Sequence, residues 1–319
     1  MPQLSFFITN LLIPGDPQRT AISTPSGGRT LERVADYERA KKIITAARGP
    51  RASELPIENT YIVEHVSFGQ QSAAAVDEKT CDELTPILLA ASFATGMSVT
   101  VRDGALAGTS LMGNPPPKWP RPRAMDGPSW VVSAPYEFQA LVNAFVKSWP
   151  RVGLEEKVLL LVHHWLDALA CWSMEDLYLS ATTLLQVIAA TEEKKMFAER
   201  MRAGKGKRHV GWGRPEETKV YFYAALKKAS NRMIIRKPSF EAKEMRDSLV
   251  HEGSLRGEWM KKVERKRLAG IGENADDGGD RLTDQDICAG IVADVMNWFD
   301  EYVHAALRRE GCEDALRFT

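Results

Sequence analysis

Cysteine is scarce in this chain, and the four cysteines, Cys81, Cys171, Cys288 and Cys312, lie far apart. No CxxC pair occurs, so neither a disulfide framework nor a zinc ribbon is indicated. Scattered cysteines are typical of proteins in a reducing compartment. We therefore expect a cytoplasmic protein.

Long apolar runs are also missing. The longest, residues 158–172, contains three polar residues and is shorter than the roughly 20 residues that a membrane-spanning helix needs. The apolar start MPQLSFFITNLLIPGD has no basic n-region and is interrupted by Pro14 and Gly15, so we interpret it as a buried strand rather than a signal peptide. No membrane segment is expected.

Several motifs that carry cofactor or hydrolase chemistry are absent from the sequence. AGKGKR at 203–208 lacks the Walker spacing, and no GxSxG occurs. His163 and Asp167 lie within one helical turn and could ligate a metal. His163 and His164, however, point about 100° apart on a helix, so only one of them can join Asp167. We expect no metal and no cofactor.

The composition that is present predicts a globular protein with a core. Of 319 residues, 44% are hydrophobic and 26% are charged, with 42 Lys and Arg against 42 Asp and Glu. These values exclude a disordered or collagen-like chain. At about 100–200 residues per domain, the length predicts two domains.

Residues 1–135 are predicted to form an N-terminal α/β or β-rich domain, because proline and glycine separate short runs of β-forming residues. One helix is predicted at 83–94, ending before Gly96. The prolines of 113–128 exclude regular structure there, and we interpret that segment as a surface loop. Strands are expected at 4–13, 60–68, 97–102 and 130–133.

Residues 136–319 are predicted to form a helical bundle, because apolar residues recur there with a period of 3.6. The expected fold class is therefore α+β. The helix at 174–202 has the clearest ends, with acidic residues in its first turn and arginines in its last. Helices are expected at 136–149, 155–172, 174–202, 216–235, 240–250 and 284–309.

Positive charge is concentrated in the middle of the chain. Residues 194–267 contain 22 Lys and Arg against 9 Asp and Glu, whereas residues 268–319 contain 4 against 12. Such a stretch is typical of a protein that binds a phosphate backbone, although solvated helix faces paired with the acidic segments would give the same counts. The candidate phosphate-binding residues are Lys205, Lys207, Arg208, Lys261, Lys262 and Arg265.

The segment EMRDSLVHEG, residues 244–253, is the most informative motif. Four residues separate Arg246 from His251, which places the two side chains about 140° apart on an ideal helix. They converge only if the helix bends or ends near His251, or if a second chain supplies the other half of the site. Gly253 is suited to a helix end.

Arg246-Asp247-Ser248-Leu249-Val250-His251 resembles the signature of the HEPN superfamily, in which an arginine, usually followed by a polar residue, precedes a histidine by four to six positions. The segments 155–171 and 174–193 look like the first two helices of the HEPN bundle. LLAASFATGMSVTVRD at 88–103 looks similar to the segment preceding the bundle in Apea-like HEPN proteins. The resemblance covers mainly residues 155–309.

The resemblance implies a metal-independent endoribonuclease, often a toxin or anti-phage defence effector, whose site forms across a homodimer of bundles. His251 would take a proton from a ribose 2′-OH or donate one to the leaving 5′-oxygen, and Arg246 would hold phosphate oxygens. Attack by the 2′-OH restricts the substrate to RNA and leaves a cyclic phosphate. The N-terminal domain would sense a trigger ligand or partner protein, or select the substrate.

Asp247, the third candidate catalytic residue, departs from the asparagine that is common at this position of the family. Its carboxylate could orient His251 and raise the histidine pKa, or it could repel phosphate. Ser248 could contact phosphate or have a structural role. Glu192 and Glu193 lie where the family often places another polar site residue, or on a solvated helix face.

The alternative function is a non-catalytic module for dimerisation or nucleic-acid binding. Arg246 would then form a salt bridge with Glu244 or Asp247, and His251 would cap a helix end.

Overall fold

The structure is a computed structural model that describes residues 3–47, 58–67, 73–97, 99–102, 131–170, 174–203, 222–238, 240–249, 259–261 and 284–308. It combines a small antiparallel sheet with many helices, so the α+β class is confirmed at this level. Contacts divide the chain into two compact units. Residues 1–171 and 307–319 form unit 1, and residues 172–306 form unit 2.

Five antiparallel strands form the sheet of unit 1, in the order β2-β3-β4-β1-β5. They are β1 (Gln3–Thr9), β2 (Arg19–Thr24), β3 (Gly27–Arg33), β4 (Asn59–Ser67) and β5 (Thr100–Arg102). Ile8 on β1 lies opposite Tyr61 on β4 and Val101 on the edge strand β5. All three side chains are buried, so this side of the sheet belongs to the core.

Four helices lie in the described part of unit 1, and three of them pack together. They are α1 (Tyr37–Ala47), α2 (Ala73–Thr95), α3 (Pro135–Leu154) and α4 (Val158–Ala170). α2 packs against both α3 and α4. The buried ring of Phe93 on α2 lies 6.0 Å from Phe145 of α3 and 5.1 Å from Trp165 of α4, measured between ring centroids. Gly96 ends α2 with a φ of 65°, as its position predicts.

Several features of unit 1 differ from the sequence-based expectation. The strands expected at 4–13 and 97–102 are shorter in the structure, because β1 ends at Thr9 and β5 begins at Thr100. The strand expected at 130–133 is wrong for residues 131–133, because the Val131 N–H bonds to the Ala94 carbonyl at the end of α2 (3.1 Å) rather than to a strand. The hairpin β2–β3 and the helix α1 were not expected. The hairpin does alternate, since Thr20 and Ile22 are buried between exposed neighbours, but its few apolar residues give a weak pattern.

Asp16 ties the loop between β1 and β2 to α1. Its carboxylate accepts a hydrogen bond from the Tyr37 hydroxyl (2.6 Å) and forms an ion pair with Lys41. Burial opposes ionisation, but the hydrogen bonds from Lys41 and Tyr37 and the charges of Lys41 and Arg33 outweigh it and lower the Asp16 pKa below 3.8. The loop is therefore held by a charged contact.

The regular secondary structure in the described part of unit 2 is helical. Its helices are α5 (Met174–Arg202), α6 (Phe222–Met233), α7 (Phe240–Asp247) and α8 (Asp284–Arg308), whose last two residues are grouped with unit 1. α5 packs against α6 and α7. The buried Trp298 of α8 donates its indole N–H to the Arg236 carbonyl (2.9 Å), which fixes the segment after α6.

The contacts group α3 and α4 with the sheet, whereas the sequence pattern assigned residues 136–170 to the helical bundle. No helix in the described ranges is both long and apolar enough to cross a membrane. The loop expected at 113–128 lies outside the described residues.

Candidate functional site

Arg246 lies in the last turn of α7, and the sequence of α7 explains how that turn is held. Ala242 and Met245 are buried, which gives this short helix an apolar side. The buried Tyr178 of α5 donates its hydroxyl to the Ala242 carbonyl at 2.7 Å. In an α-helix that carbonyl also accepts the N–H four residues on, at position 246. The Tyr178 hydroxyl thus bonds to the backbone of α7 one helical turn before Arg246.

The environment of Tyr178 keeps its hydroxyl protonated. Burial is the main cause of a strongly raised Tyr178 pKa, and nearby Arg246 and Asp247 have opposite effects on it. A neutral phenol remains a hydrogen-bond donor across the neutral pH range. Its bond to α7 is therefore independent of pH there.

The Arg246 guanidinium is oriented by two side chains. Asp247 accepts a hydrogen bond from its Nη1 at 2.7 Å. Gln186 on α5 faces the same guanidinium. With its amide assigned so that the oxygen rather than the nitrogen points to Arg246, that oxygen accepts from Nε at 3.3 Å and from Nη2 at 3.2 Å. The Phe222 ring of α6 lies 5.3 Å from the guanidinium carbon, within cation–π range.

This position is partly open to solvent. The side chains of Arg246 and Asp247 keep 22% and 34% of their exposure, which leaves their charged ends reachable by a ligand. Ser248, in contrast, is only 3% exposed. A phosphate contact requires an accessible hydroxyl, so the burial of Ser248 favours its structural role.

The helix widens after α7. Ser248 and Leu249 adopt a π-type turn, in which hydrogen bonds join residues five apart instead of four. Five positions is also the offset between Arg246 and the site histidine of the sequence motif. His251 itself lies outside the described residues.

Glu192 belongs to a different contact. It is 2% exposed and accepts a hydrogen bond from Nε of Arg232 on α6 at 2.9 Å. The Arg232 guanidinium also donates to the Tyr302 hydroxyl of α8 at 3.4 Å. The solvated-face interpretation of Glu192 is wrong, because its carboxylate is buried in an ion pair that links α5 to α6.

Of the candidate phosphate-binding residues, Lys261 is described and exposed. Lys205, Lys207, Arg208, Lys262 and Arg265 lie outside the described residues.

The candidate metal ligands are not assembled into a site within the described ranges, where no three His, Cys, Asp or Glu side chains lie close enough together to hold a metal ion. His163 is half-buried on α4, and burial lowers its pKa despite the charge of nearby Asp167.

Gln186, Tyr178 and Phe222 were not among the sequence candidates, because only the packing of α5, α6 and α7 brings them to Arg246. One signal existed on α5. Tyr178, Thr182 and Gln186 recur every four residues and place three polar groups on one side of α5.

Comparison of the chain with protein-family models, with curated proteins and with solved structures finds no match in any of the three. Function must therefore be inferred from the residues of this chain.

Proposed function

We propose that the chain is a metal-independent endoribonuclease of HEPN type, with Arg246 and His251 as its catalytic pair. The observation that supports this function best is the orientation of Arg246. A partly exposed guanidinium is held by Gln186 and Asp247 at the end of α7, directly before a π-type turn. π-Type turns inside helices occur frequently at functional sites.

The turn bears on the geometry of the pair. On a regular α-helix, residues 246 and 251 point about 140° apart. Hydrogen bonding between residues five apart brings such residues nearer to one side of the helix. The widening at Ser248 and Leu249 therefore favours convergence of Arg246 with a histidine five positions later.

The proposed reaction is a transesterification followed by release of the product. His251 removes the proton from a ribose 2′-OH, the 2′-oxygen forms a bond to phosphorus, and the bond from phosphorus to the 5′-oxygen breaks. The leaving 5′-oxygen takes a proton from imidazolium. Arg246 stabilises the added negative charge on the phosphoryl oxygens. The products are a 2′,3′-cyclic phosphate and a 5′-hydroxyl.

Asp247 would tune this site. Its carboxylate shares the Arg246 guanidinium with any incoming phosphate, because it accepts from Nη1 at 2.7 Å. A partly exposed ion pair of this kind is worth at most about 1 kcal/mol. We expect Asp247→Asn to lower KM for RNA by about two- to fivefold. If Asp247 instead orients His251, the same variant lowers kcat.

The alternative is a non-catalytic dimerisation or nucleic-acid-binding module, and one observation favours it. The Arg246–Asp247 ion pair is one that a structural arginine would form. Under this alternative, RNA affinity would survive the loss of His251, and no RNA would be cut.

Cleavage assays in EDTA separate the two functions. Wild-type protein should cut single-stranded RNA or structured tRNA, but not matched DNA, and leave cyclic phosphate ends. His251→Ala and Arg246→Gln should each reduce the rate by at least about 100-fold. Arg200→Gln, an exposed arginine on α5, is the matched control and should leave the rate unchanged. An intact wild-type fold that binds RNA without cutting any of these substrates would contradict the nuclease proposal.

A mixing experiment tests whether two copies build one site. If Arg246 of one copy works with His251 of another, mixed dimers of Arg246→Gln and His251→Ala contain one intact site, and about a quarter of the wild-type activity returns. If the mixture stays inactive although its subunits exchange, Arg246 and His251 of one site belong to the same chain.

The remaining parts of the proposal follow from this site. The partners would be RNA and a second copy of the chain, and unit 1 would carry a trigger or substrate-selecting role. A toxin or anti-phage defence effector in the cytoplasm is the biological setting that the HEPN resemblance suggests.

A further inference from the structure

Helix α5 carries large apolar residues on two sides, and one of these sides is open to solvent. On the first side, Leu184, Leu185 and Ile188 are buried. On the second side, Leu179 and Phe197 each keep 45% of their exposure. A helix that packs on one side only normally presents polar residues on the other. The exposed leucine and phenylalanine therefore indicate a second packing surface.

Leu179 and Phe197 lie on one line along α5. They are 18 positions apart, which corresponds to five helical turns and about 27 Å. The positions between them on this side are separated alternately by four and three residues, the spacing with which one helix packs along another. We call this line the α5 seam, and none of its six residues is buried: Leu179, Thr183, Gln186, Ala190, Glu193 and Phe197.

The α5 seam is complementary to a second copy of itself when the two helices run antiparallel. If position 188 of each copy lies at the two-fold axis, Leu179 of one copy lies level with Phe197 of the other at both ends of the seam. In the middle, Gln186 lies level with the small Ala190 of the other copy. Every seam position thus meets another seam position, as a two-fold interface requires.

Charge favours this antiparallel pair over a parallel one. Asp176 lies three positions before Leu179, and Lys194 lies three positions before Phe197; both charged residues are exposed. In an antiparallel pair, the acidic end of one seam approaches the basic end of the other, and the two helix dipoles oppose each other. A parallel pair would bring like charges together.

The size of the α5 seam predicts a weak and reversible contact. A stable interface buries about 800 Å² on each partner, whereas a strip about 27 Å long and about 10 Å wide covers less than half of that area. Interfaces at this end of the range belong to transient complexes. We therefore expect a dissociation constant of about 10–100 μM.

We propose that the α5 seam is the surface through which two copies of the chain pair, antiparallel and centred on position 188. This inference rests on the proposed function, which expects a second copy, and it names the surface that this copy occupies. Gln186 faces Arg246 and lies about 3 Å along the helix from the centre of the seam. The Arg246 sites of both copies would therefore lie beside the same two-fold axis.

Sedimentation of the full chain at concentrations up to about 500 μM tests the proposal. Leu179→Glu places a carboxylate level with Phe197 at both ends of the pair and should raise the dissociation constant of the dimer at least about tenfold. Leu160→Glu is the matched control, because Leu160 on α4 has the same 45% exposure but lies outside the α5 seam. It should dimerise like the wild type. Thermal unfolding of each variant confirms that it is folded.

A mixture of Leu179→Glu with Phe197→Lys tests the antiparallel register. Each variant alone has no intact contact between Leu179 and Phe197. A mixed dimer has one intact contact, and at its other end the new glutamate lies level with the new lysine. With one variant fluorescently labelled, mixed dimers should form at least about tenfold more tightly than either variant pairs with itself. A parallel pair would give no such rescue.

The proposal is overturned if the wild type stays monomeric up to the highest concentration, if folded Leu179→Glu dimerises like the wild type, or if the mixture forms no tighter dimer. The nuclease assay is read separately. RNA cleavage by a chain that stays monomeric refutes only the α5 seam as a pairing surface. A chain that dimerises through the seam but cuts no RNA refutes only the proposed function.

Discussion

The buried ion pair between Glu192 and Arg232 makes a sharp prediction about the stability of unit 2. Glu192 is 2% exposed, the Arg232 side chain is 16% exposed, and their N–O distance is 2.9 Å. Removing one partner of a buried pair costs about 3–5 kcal/mol, because the other charge is left without compensation. The two single substitutions should therefore differ in cost.

Arg232→Met leaves the Glu192 carboxylate, which has almost no contact with water, without its cationic partner. We expect a loss of about 4 kcal/mol in the free energy of unfolding. Glu192→Leu leaves the Arg232 guanidinium without its anionic partner, but this group is more exposed than the Glu192 carboxylate and also donates to the Tyr302 hydroxyl. We expect a smaller loss of about 2–3 kcal/mol. The double variant Glu192→Leu/Arg232→Met removes both charges and should lie within about 1 kcal/mol of the wild type.

Urea unfolding followed by circular dichroism measures these values, and hydrogen exchange in α5 and α6 assigns them to unit 2. Lys228→Met, an exposed substitution on α6 that breaks only the surface pair with Glu199 (3.3 Å), is the matched control and should cost less than about 1 kcal/mol. If the losses of the two single variants simply add in the double variant, the pair is not coupled and the reasoning is refuted.

Two further predictions concern single contacts. Asp16→Asn should cost about 1–2 kcal/mol of unfolding free energy at pH 7. Because the pKa of Asp16 is lowered in the folded state, this difference is present above pH 4 and disappears as the pH falls through the folded-state pKa. Thermal unfolding measured over a range of pH would contradict the prediction if it showed no such trend. Tyr178→Phe should cost about 1 kcal/mol and speed hydrogen exchange in α7, whereas Tyr136→Phe, at an exposed tyrosine, should change neither.

The long helices were predictable from the sequence because their patterns are local. The helix predicted at 174–202 is found as α5 with the same ends, since charged residues that suit the helix dipole mark both termini. The helix predicted at 83–94 is found inside the longer α2, and Gly96 was identified correctly as its end. Apolar periodicity and end signals are contained in a short window, so tertiary contacts were not needed to find them.

The hairpin was not predicted because its local sequence pattern is weak. β3 has a single buried hydrophobic residue, Leu31, and its neighbours are polar. Its place in the sheet depends on pairing with β2 and β4, which no local window contains. β-Strand formation depends strongly on such context.

In the candidate site, too, some features were predictable from the local sequence and others depend on tertiary contacts. Arg246 and Asp247 could be chosen from the motif, but the orientation of the guanidinium depends on Gln186, which lies 60 positions earlier in the chain. The motif alone also could not show whether the helix stays regular after Arg246, whereas the structure shows a π-type turn at the next two residues after Asp247. A local pattern thus identified the residues, and tertiary packing set their geometry.

The contact between Arg246 and Asp247 is compatible with both functions considered for the chain, and its physical role separates them. In a structural pair, the carboxylate serves to neutralise Arg246, so Asp247→Asn would expose an uncompensated charge and lower stability without changing RNA turnover. In a catalytic site, phosphate replaces the carboxylate as the partner of the guanidinium, so the same substitution would change KM or kcat while the fold is kept. Thermal unfolding and RNA turnover of Asp247→Asn, measured together, therefore separate the two functions.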